Sequence, residues 1–188
     1  MNIATLKHKY YVGVSGHRDL KEASKEAYKA EIKERLQSIV EAHPDKEVII
    51  LSPLADGADR LMVYAAKELG LRYEVLLPMT KALYEMDFDA GSLREFRTLY
   101  YEARRFNTVD LCETCTPENI STYSKERDAQ YRKVGEEVVN RCDEVFFLWD
   151  GVKNGLKGGT ADIYSYAEYK NKSRHWIQCE RENVKGDV

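Results

Sequence analysis

Three glycine-punctuated stretches hold the residues of this chain whose types and spacing could do chemistry. Gly158-Gly159-Thr160 has the composition of an anion cradle. Glycines let a backbone approach a ligand closely, and the free N–H groups at the start of a following helix point toward negative charge. The Thr160 hydroxyl can donate to a phosphate oxygen or cap the helix, and Asp162 follows two residues on. Upstream, Asp150-Gly151 offers a carboxylate for a ribose hydroxyl pair, or for capping a turn. Gly13-Val14-Ser15-Gly16-His17-Arg18-Asp19 places Arg18 as an anion contact, with His17 either a site group or a plain loop histidine. Asp56-Gly57-Ala58-Asp59-Arg60 adds two carboxylates spaced as a helix N-cap and its third helical position, so capping competes with acid/base or nucleophilic roles. Arg60 either pairs with one of them or neutralises ligand phosphate. Trp149 and Tyr84 could stack on a base, or belong to the core.

Neither common phosphate-loop signature is present. GxxxxGK[ST] is absent, with Lys157 on the wrong side of its glycines, and Gly13-Val14-Ser15-Gly16 lacks the GxGxxG of dinucleotide folds. The case for a site rests on convergence, which depends on the elements that bring these loops together.

Short apolar runs alternate with longer amphipathic stretches. Strands are expected at Tyr10–Ser15, Val48–Leu51, Tyr73–Leu77, Thr108–Cys112, Val145–Trp149 and His175–Gln178. Val48-Ile49-Ile50-Leu51 is apolar on both faces, as a buried parallel strand should be. Asp19-Leu20-Lys21-Glu22 has the form of a capping box for a helix carrying Tyr28, Ile32, Leu36, Ile39 and Val40 inward, stopped at His43-Pro44-Asp45. A second helix runs from about Gly57 to Leu69, with Gly70 as its stop. Residues 79–92 read as a long ligand-side loop before a helix from Leu93 to about Arg105. A second irregular stretch, 113–123, leads to a helix carrying Tyr131, Val134, Val138 and Val139, and a last helix follows Thr160 to about Lys170. This order predicts one α/β unit over 1–188, a three-layer Rossmann-like domain: a mainly parallel sheet of about six strands, with helices on both faces and right-handed crossovers. Ligands of such sheets bind beyond the carboxyl ends of the strands, where strand order reverses, and all three loops follow strands there.

Composition narrows the function classes. Of 188 residues, 43% are hydrophobic and 32% charged, an ordinary globular balance. The formal net charge of −3 and the interleaving of Lys and Arg with Glu argue against nucleic-acid binding by bulk electrostatics. No apolar run approaches the roughly 18 residues of a membrane span, and no apolar leader is present, so a cytoplasmic location is expected. Cys112-Glu113-Thr114-Cys115 has no second pair to complete a zinc site and is not followed by a helix start, so two reduced cysteines are expected and no metal or cofactor is assigned.

The set Gly13 to Arg18, Ser52 to Arg60, Tyr84 with Asp87-Phe88, Cys142-Asp143, Trp149 to Gly151 and Gly158 to Asp162 resembles the SLOG superfamily. That group joins Rossmann-like domains of the DprA/Smf DNA-processing type to the Lonely Guy phosphoribohydrolases. The resemblance implies a nucleotide or nucleotide-derived ligand held by the loops after the first, second and fifth strands. Its hydrolase branch carries GGxGTxxE, and aligning Gly159-Thr160 puts Ile163 at the glutamate. Asp162 lies one residue earlier, about 100° away on a helix. An Arg-Lys pair also marks that branch; Arg132-Lys133 stands two residues too far from the following strand. The hydrolase roles are therefore not transferred.

The expectation is a protein that binds or senses a nucleotide-like ligand through Gly16, His17, Arg18, Gly57, Arg60, Asp150, Gly151, Gly158, Gly159 and Thr160. The alternative is an N-glycosidase or phosphoribohydrolase acting on a nucleoside monophosphate through Asp56, Asp59 or Asp162. A single-stranded DNA binder of the DprA type is a third reading, opposed by the acidic balance. A homodimer is an open expectation, because such domains often complete their sites from a partner subunit.

Overall fold

A computed structural model describes residues 7–153, 155 and 158–182. Lys157, which entered the comparison with phosphate-loop signatures, lies outside them. The chain order is β1 (His8–Gly16), a 3-10 turn (Glu22–Ser24), α1 (Lys25–Ala42), β2 (Lys46–Ser52), α2 (Ala58–Glu68), β3 (Arg72–Leu77), α3 (Lys81–Glu85), α4 (Ala90–Glu102), β4 (Arg105–Thr108), α5 (Lys125–Arg141), β5 (Glu144–Trp149), α6 (Thr160–Tyr169) and β6 (Ser173–Gln178).

All five strand pairings are parallel, in the order β4-β3-β2-β1-β5-β6. The α/β Rossmann-like architecture expected from the alternation is the one observed. The central strands alternate between two cores. Val12, Val14, Ile50, Val75, Phe146 and Leu148 pack with Ile32 and Leu36 of α1 and Met62, Ala65 and Ala66 of α2. On the opposite face, Leu51, Leu76, Val145 and Phe147 pack with Val134, Val138 and Val139 of α5 and Ile163 and Ala167 of α6. A period of two sends successive side chains to opposite faces, so each apolar strand serves both layers. The order reverses at β1, flanked by β2 on one side and β5 on the other; this opens a crevice at their carboxyl ends.

Three sequence expectations need correction. Asp19 does not cap a helix: its carboxylate accepts from Arg181 Nε at 2.9 Å, and its carbonyl from Glu182 N at 2.7 Å. Chain leaving β6 returns past residues 19–22, bridging Leu20 to Arg181, so α1 begins later, at Lys25 after Ser24. Segment 79–92 is not one long loop. It holds α3 and the start of α4, which begins at Ala90 because Asp89 accepts from the N–H groups of Gly91 and Ser92. The fourth strand is Arg105–Thr108 rather than Thr108–Cys112. All four of its residues are exposed at the sheet edge, so no apolar run announces it. Val109 and Cys112 are apolar for another reason: they pack in the cores beside the end of the strand.

Cys112 and Cys115 span a turn closed by Cys115 N on the Cys112 carbonyl at 2.9 Å, and all four cysteines are free thiols. Burial, together with neighbouring Cys115, pushes the Cys112 thiol up from its ordinary pKa, away from a reactive thiolate. No helix among the described residues is long and apolar enough to cross a membrane.

Candidate functional site

The floor of the crevice is two loops locked into each other. Ala58 N donates to the His17 carbonyl at 3.0 Å, joining the start of α2 to the loop after β1. Gly57 has φ +73°, and a Cβ there would stand 2.4 Å from the carbonyl oxygens of both His17 and Arg18. A Cβ on Gly16 would stand 2.4 Å from that of Ala58. Gly16 and Gly57 are thus required by close approach of one backbone to another.

The third loop closes the crevice from the α5–α6 side. Gly158 has φ +75°, and a Cβ there would lie 3.0 Å from both Arg132 N and the Asp128 carbonyl. Gly158 N donates to Asp162 Oδ2 at 2.8 Å, and the same oxygen lies 3.3 Å from Arg132 Nε. Asp162 is therefore folded back onto its own loop. At the start of α6, Asp162 N and Ile163 N donate to the Gly159 carbonyl at 3.0 and 3.1 Å, which leaves the N–H groups of Thr160 and Ala161 at the positive end of the helix dipole.

Between these walls lies a cleft of about 700 Å³. Of the residues singled out in the sequence, Gly16, His17, Arg18, Asp59, Tyr84, Gly158, Gly159 and Thr160 line it together. The Tyr84 ring is also core, 1% exposed and edge-on to Phe88 and Phe96. Asp56, Gly57, Arg60, Asp150, Gly151, Asp162 and Trp149 are not among the lining residues. Arg60 is buried as a hub. Nε donates to the Leu54 carbonyl at 3.0 Å, and Nη1 lies 2.7 Å from Glu95 Oε2 and 2.8 Å from Asp56 Oδ1. Asp56 also accepts from the Ser92 hydroxyl, so it ties α4 to α2 rather than capping α2, whose N-cap is Gly57. Asp150 accepts from Val152 N at 3.0 Å, and the same Oδ1 stands 3.0 Å from His17 Nε2 without a hydrogen bond between them. Burial pushes the Asp150 carboxyl up, but the Val152 amide and His17 outweigh it and hold it below its ordinary pKa. Trp149 donates to the Val152 carbonyl and packs on Tyr164 and Trp176.

The cleft also contains Asp87 and residues 121–123, from the two irregular stretches, together with groups that sequence reasoning did not place there: Arg127, Asp128, Tyr131 and Arg181. Arg127 is buried, with Nη2 2.6 Å from Asp87 Oδ1 and further donation to the Leu83 and Ile120 carbonyls. The Tyr131 hydroxyl donates to Asp87 Oδ2. Their signal in the sequence is the i, i+4, i+8 series Arg127, Tyr131, Gly135, one stripe of α5. Arg181 is held by Asp19. Arg18 is the least committed cation of the group: its nearest carboxylate oxygen, on Asp87, is 3.7 Å away, its side chain is 42% exposed, and it lies over the Tyr131 ring at 5.1 Å.

Asp59 is 5% exposed, and its Oδ2 accepts from Ala55 N at 3.1 Å. Burial pushes its carboxyl up to about 7, while the Ala55 amide, Arg18 and Arg60 pull against it. Tyr84, also raised by burial, stays a neutral phenol across the physiological range.

The fold has a solved counterpart. DNA processing protein A (DprA) from Streptococcus pneumoniae superposes with a TM-score of 0.59 at 13% identity, over 95% of this chain and 52% of that one. The shared property is the Rossmann-like fold. This chain spans about half the length of that protein. Streptococcus suis SuiB aligns over 92% of this chain and 50% of its own at 10% identity, but its TM-score of 0.29 carries no argument. No protein-family model and no curated protein matches the chain. The DprA likeness agrees with the SLOG resemblance at the level of fold.

Proposed function

We propose that this protein binds a nucleotide or other phosphate-bearing small molecule in the cleft, and acts as a binding or sensing protein of the SLOG kind. One observation carries the reading: the start of α6 at Gly159-Thr160 and the weakly committed Arg18 face the same cleft of about 700 Å³, at the strand-order reversal of a parallel sheet. The positive helix end and the guanidinium supply charge for phosphate. The largely apolar walls, with Tyr84, Met86, Tyr123 and Tyr131, supply surface for the rest of the ligand.

Binding is favoured over hydrolysis. Ile163 stands where the hydrolase glutamate of the resembled family belongs, and Asp162 is occupied by Gly158 N and Arg132. The test is a calorimetric screen against nucleoside mono- and diphosphates, ADP-ribose and cyclic dinucleotides, with product chromatography on every ligand that binds. Micromolar binding without product is expected; the absence of binding across the panel overturns the reading.

A further inference from the structure

Asp59 is a buried carboxyl at a wall of the cleft with no cationic partner of its own. Arg60, adjacent in sequence, is turned away into Asp56 and Glu95. Among the described residues Asp59 makes no salt bridge, and its side chain takes part in one hydrogen bond, from Ala55 N to Oδ2 at 3.1 Å, which leaves Oδ1 for the cleft it lines. The charged and titratable groups around it come from the elements packed against it: Arg18 from the loop after β1, Asp56 just before α2, Arg60 from α2 and Tyr84 from α3, with Asp87 beside Tyr84 and Arg18. As a carboxylate, Asp59 would repel the anion that Arg18 and the α6 terminus attract. As a neutral acid it becomes a donor aimed into the same cleft.

We infer that Asp59 is a proton-carrying specificity residue: as a neutral carboxylic acid it donates a hydrogen bond from Oδ1 to an anionic oxygen of the phosphate-bearing ligand, so that binding is coupled to proton uptake. The inference rests on the proposed binding function and deepens it. Selection would favour ligands that place a phosphate oxygen beside both Arg18 and Asp59. A buried carboxyl that is half-ionised at neutrality in the free protein takes up a proton when an anion is placed against it.

The experiment is calorimetry with ADP-ribose and with a cyclic dinucleotide, whose diester phosphates keep a fixed charge through neutrality. Titrations in buffers of different ionisation enthalpy count the protons. Uptake of about half a proton per ligand is expected at pH 7, with affinity falling toward about tenfold per pH unit above it. Asp59→Asn, whose amide N–H stands in for the acid O–H, should bind with a flat pH profile and no uptake. Uptake that persists in Asp59→Asn belongs to another group and overturns the inference. Wild-type binding without uptake overturns it and leaves the binding function standing, whereas failure of both probes to bind removes the two together. If Asp59→Asn does not fold, 13C titration of the aspartate carboxyls in the wild-type protein decides the matter. One carboxyl should titrate near neutrality and move upward with ligand; ordinary midpoints for all of them overturn the assignment.

Discussion

Arg127 Nη2 lies 2.6 Å from Asp87 Oδ1, joining α5 to the segment between α3 and α4 across one side of the cleft. Both partners are largely buried, and the remaining Asp87 oxygen accepts from Tyr131. This ion pair, rather than any glycine, fixes the distance between two walls. A double-mutant cycle of Asp87→Asn and Arg127→Gln should give a coupling of about 1–3 kcal/mol by chemical denaturation. A coupling indistinguishable from zero would show that the walls hold without it.

Gly57→Ala introduces a Cβ 2.4 Å from two carbonyl oxygens at a backbone conformation closed to side chains. A loss of about 2–4 kcal/mol of stability is expected in urea unfolding. Gly70→Ala is the control: φ is also positive, at +70°, but nothing lies within 4 Å of the added Cβ. It should cost only the backbone term, about 1 kcal/mol. Equal losses at the two sites would contradict the interlocked floor.

Stability should fall with pH through Asp59. Its folded carboxyl is raised to about 7 from an ordinary value of 3.8, so the folded state binds the proton that the unfolded state has released. The resulting stabilisation is fully present below about pH 4, is lost as pH rises toward 7, and changes little above that. Asp59→Asn removes this slope. Urea melts from pH 4 to pH 8 should show the variant gaining on the wild type by about 4 kcal/mol as an upper figure. Parallel pH profiles would rule out a neutral Asp59 in the folded protein.

Arg18→Gln should weaken any phosphate-bearing ligand by at least about tenfold, the loss of one charge-assisted contact. It should leave the thermal midpoint of the free protein within a few degrees, because the side chain is exposed and weakly paired. Arg60→Met should do the reverse, since it removes the buried hub and leaves Asp56 and Glu95 without their cation. A cost of about 3 kcal/mol or more is expected in denaturant, with Arg60→Lys failing to restore the forked contacts. An unfolding curve unchanged by Arg60→Met would contradict a structural role.

The layout of the sheet was legible in the sequence because buried parallel strands are apolar on both faces, as at Val48–Leu51 and Val145–Trp149. Gly16, Arg18, Asp59 and the Gly158–Thr160 loop were legible because each lies at or beyond the carboxyl end of a strand, before or at the start of the next helix. Two kinds of feature were not. Arg105–Thr108 pairs only on one side and is exposed, so its partner β3, rather than its own composition, makes it a strand. Arg127 and Tyr131 sit on a helix of mostly polar residues, where a buried arginine looks like one more solvated charge until α5 is docked against the sheet. Asp87 appeared among the residues of the family resemblance, but its tie to Arg127 spans 40 positions and no local pattern encodes it.

The interlock of Gly16 with Ala58, and of Gly57 with His17 and Arg18, has a consequence for redesign. A floor built from backbone pressed on backbone offers no side chain to trade, and enlarging either glycine breaks the docking before it reshapes the cleft. On the proposed binding function, ligand preference would be retuned instead from Met86, Thr122 and Tyr123, which present ordinary side chains to the same cleft. A combinatorial library confined to those three positions would change what the cleft accepts while the sheet, the interlocked loops and the α6 terminus stay as they are.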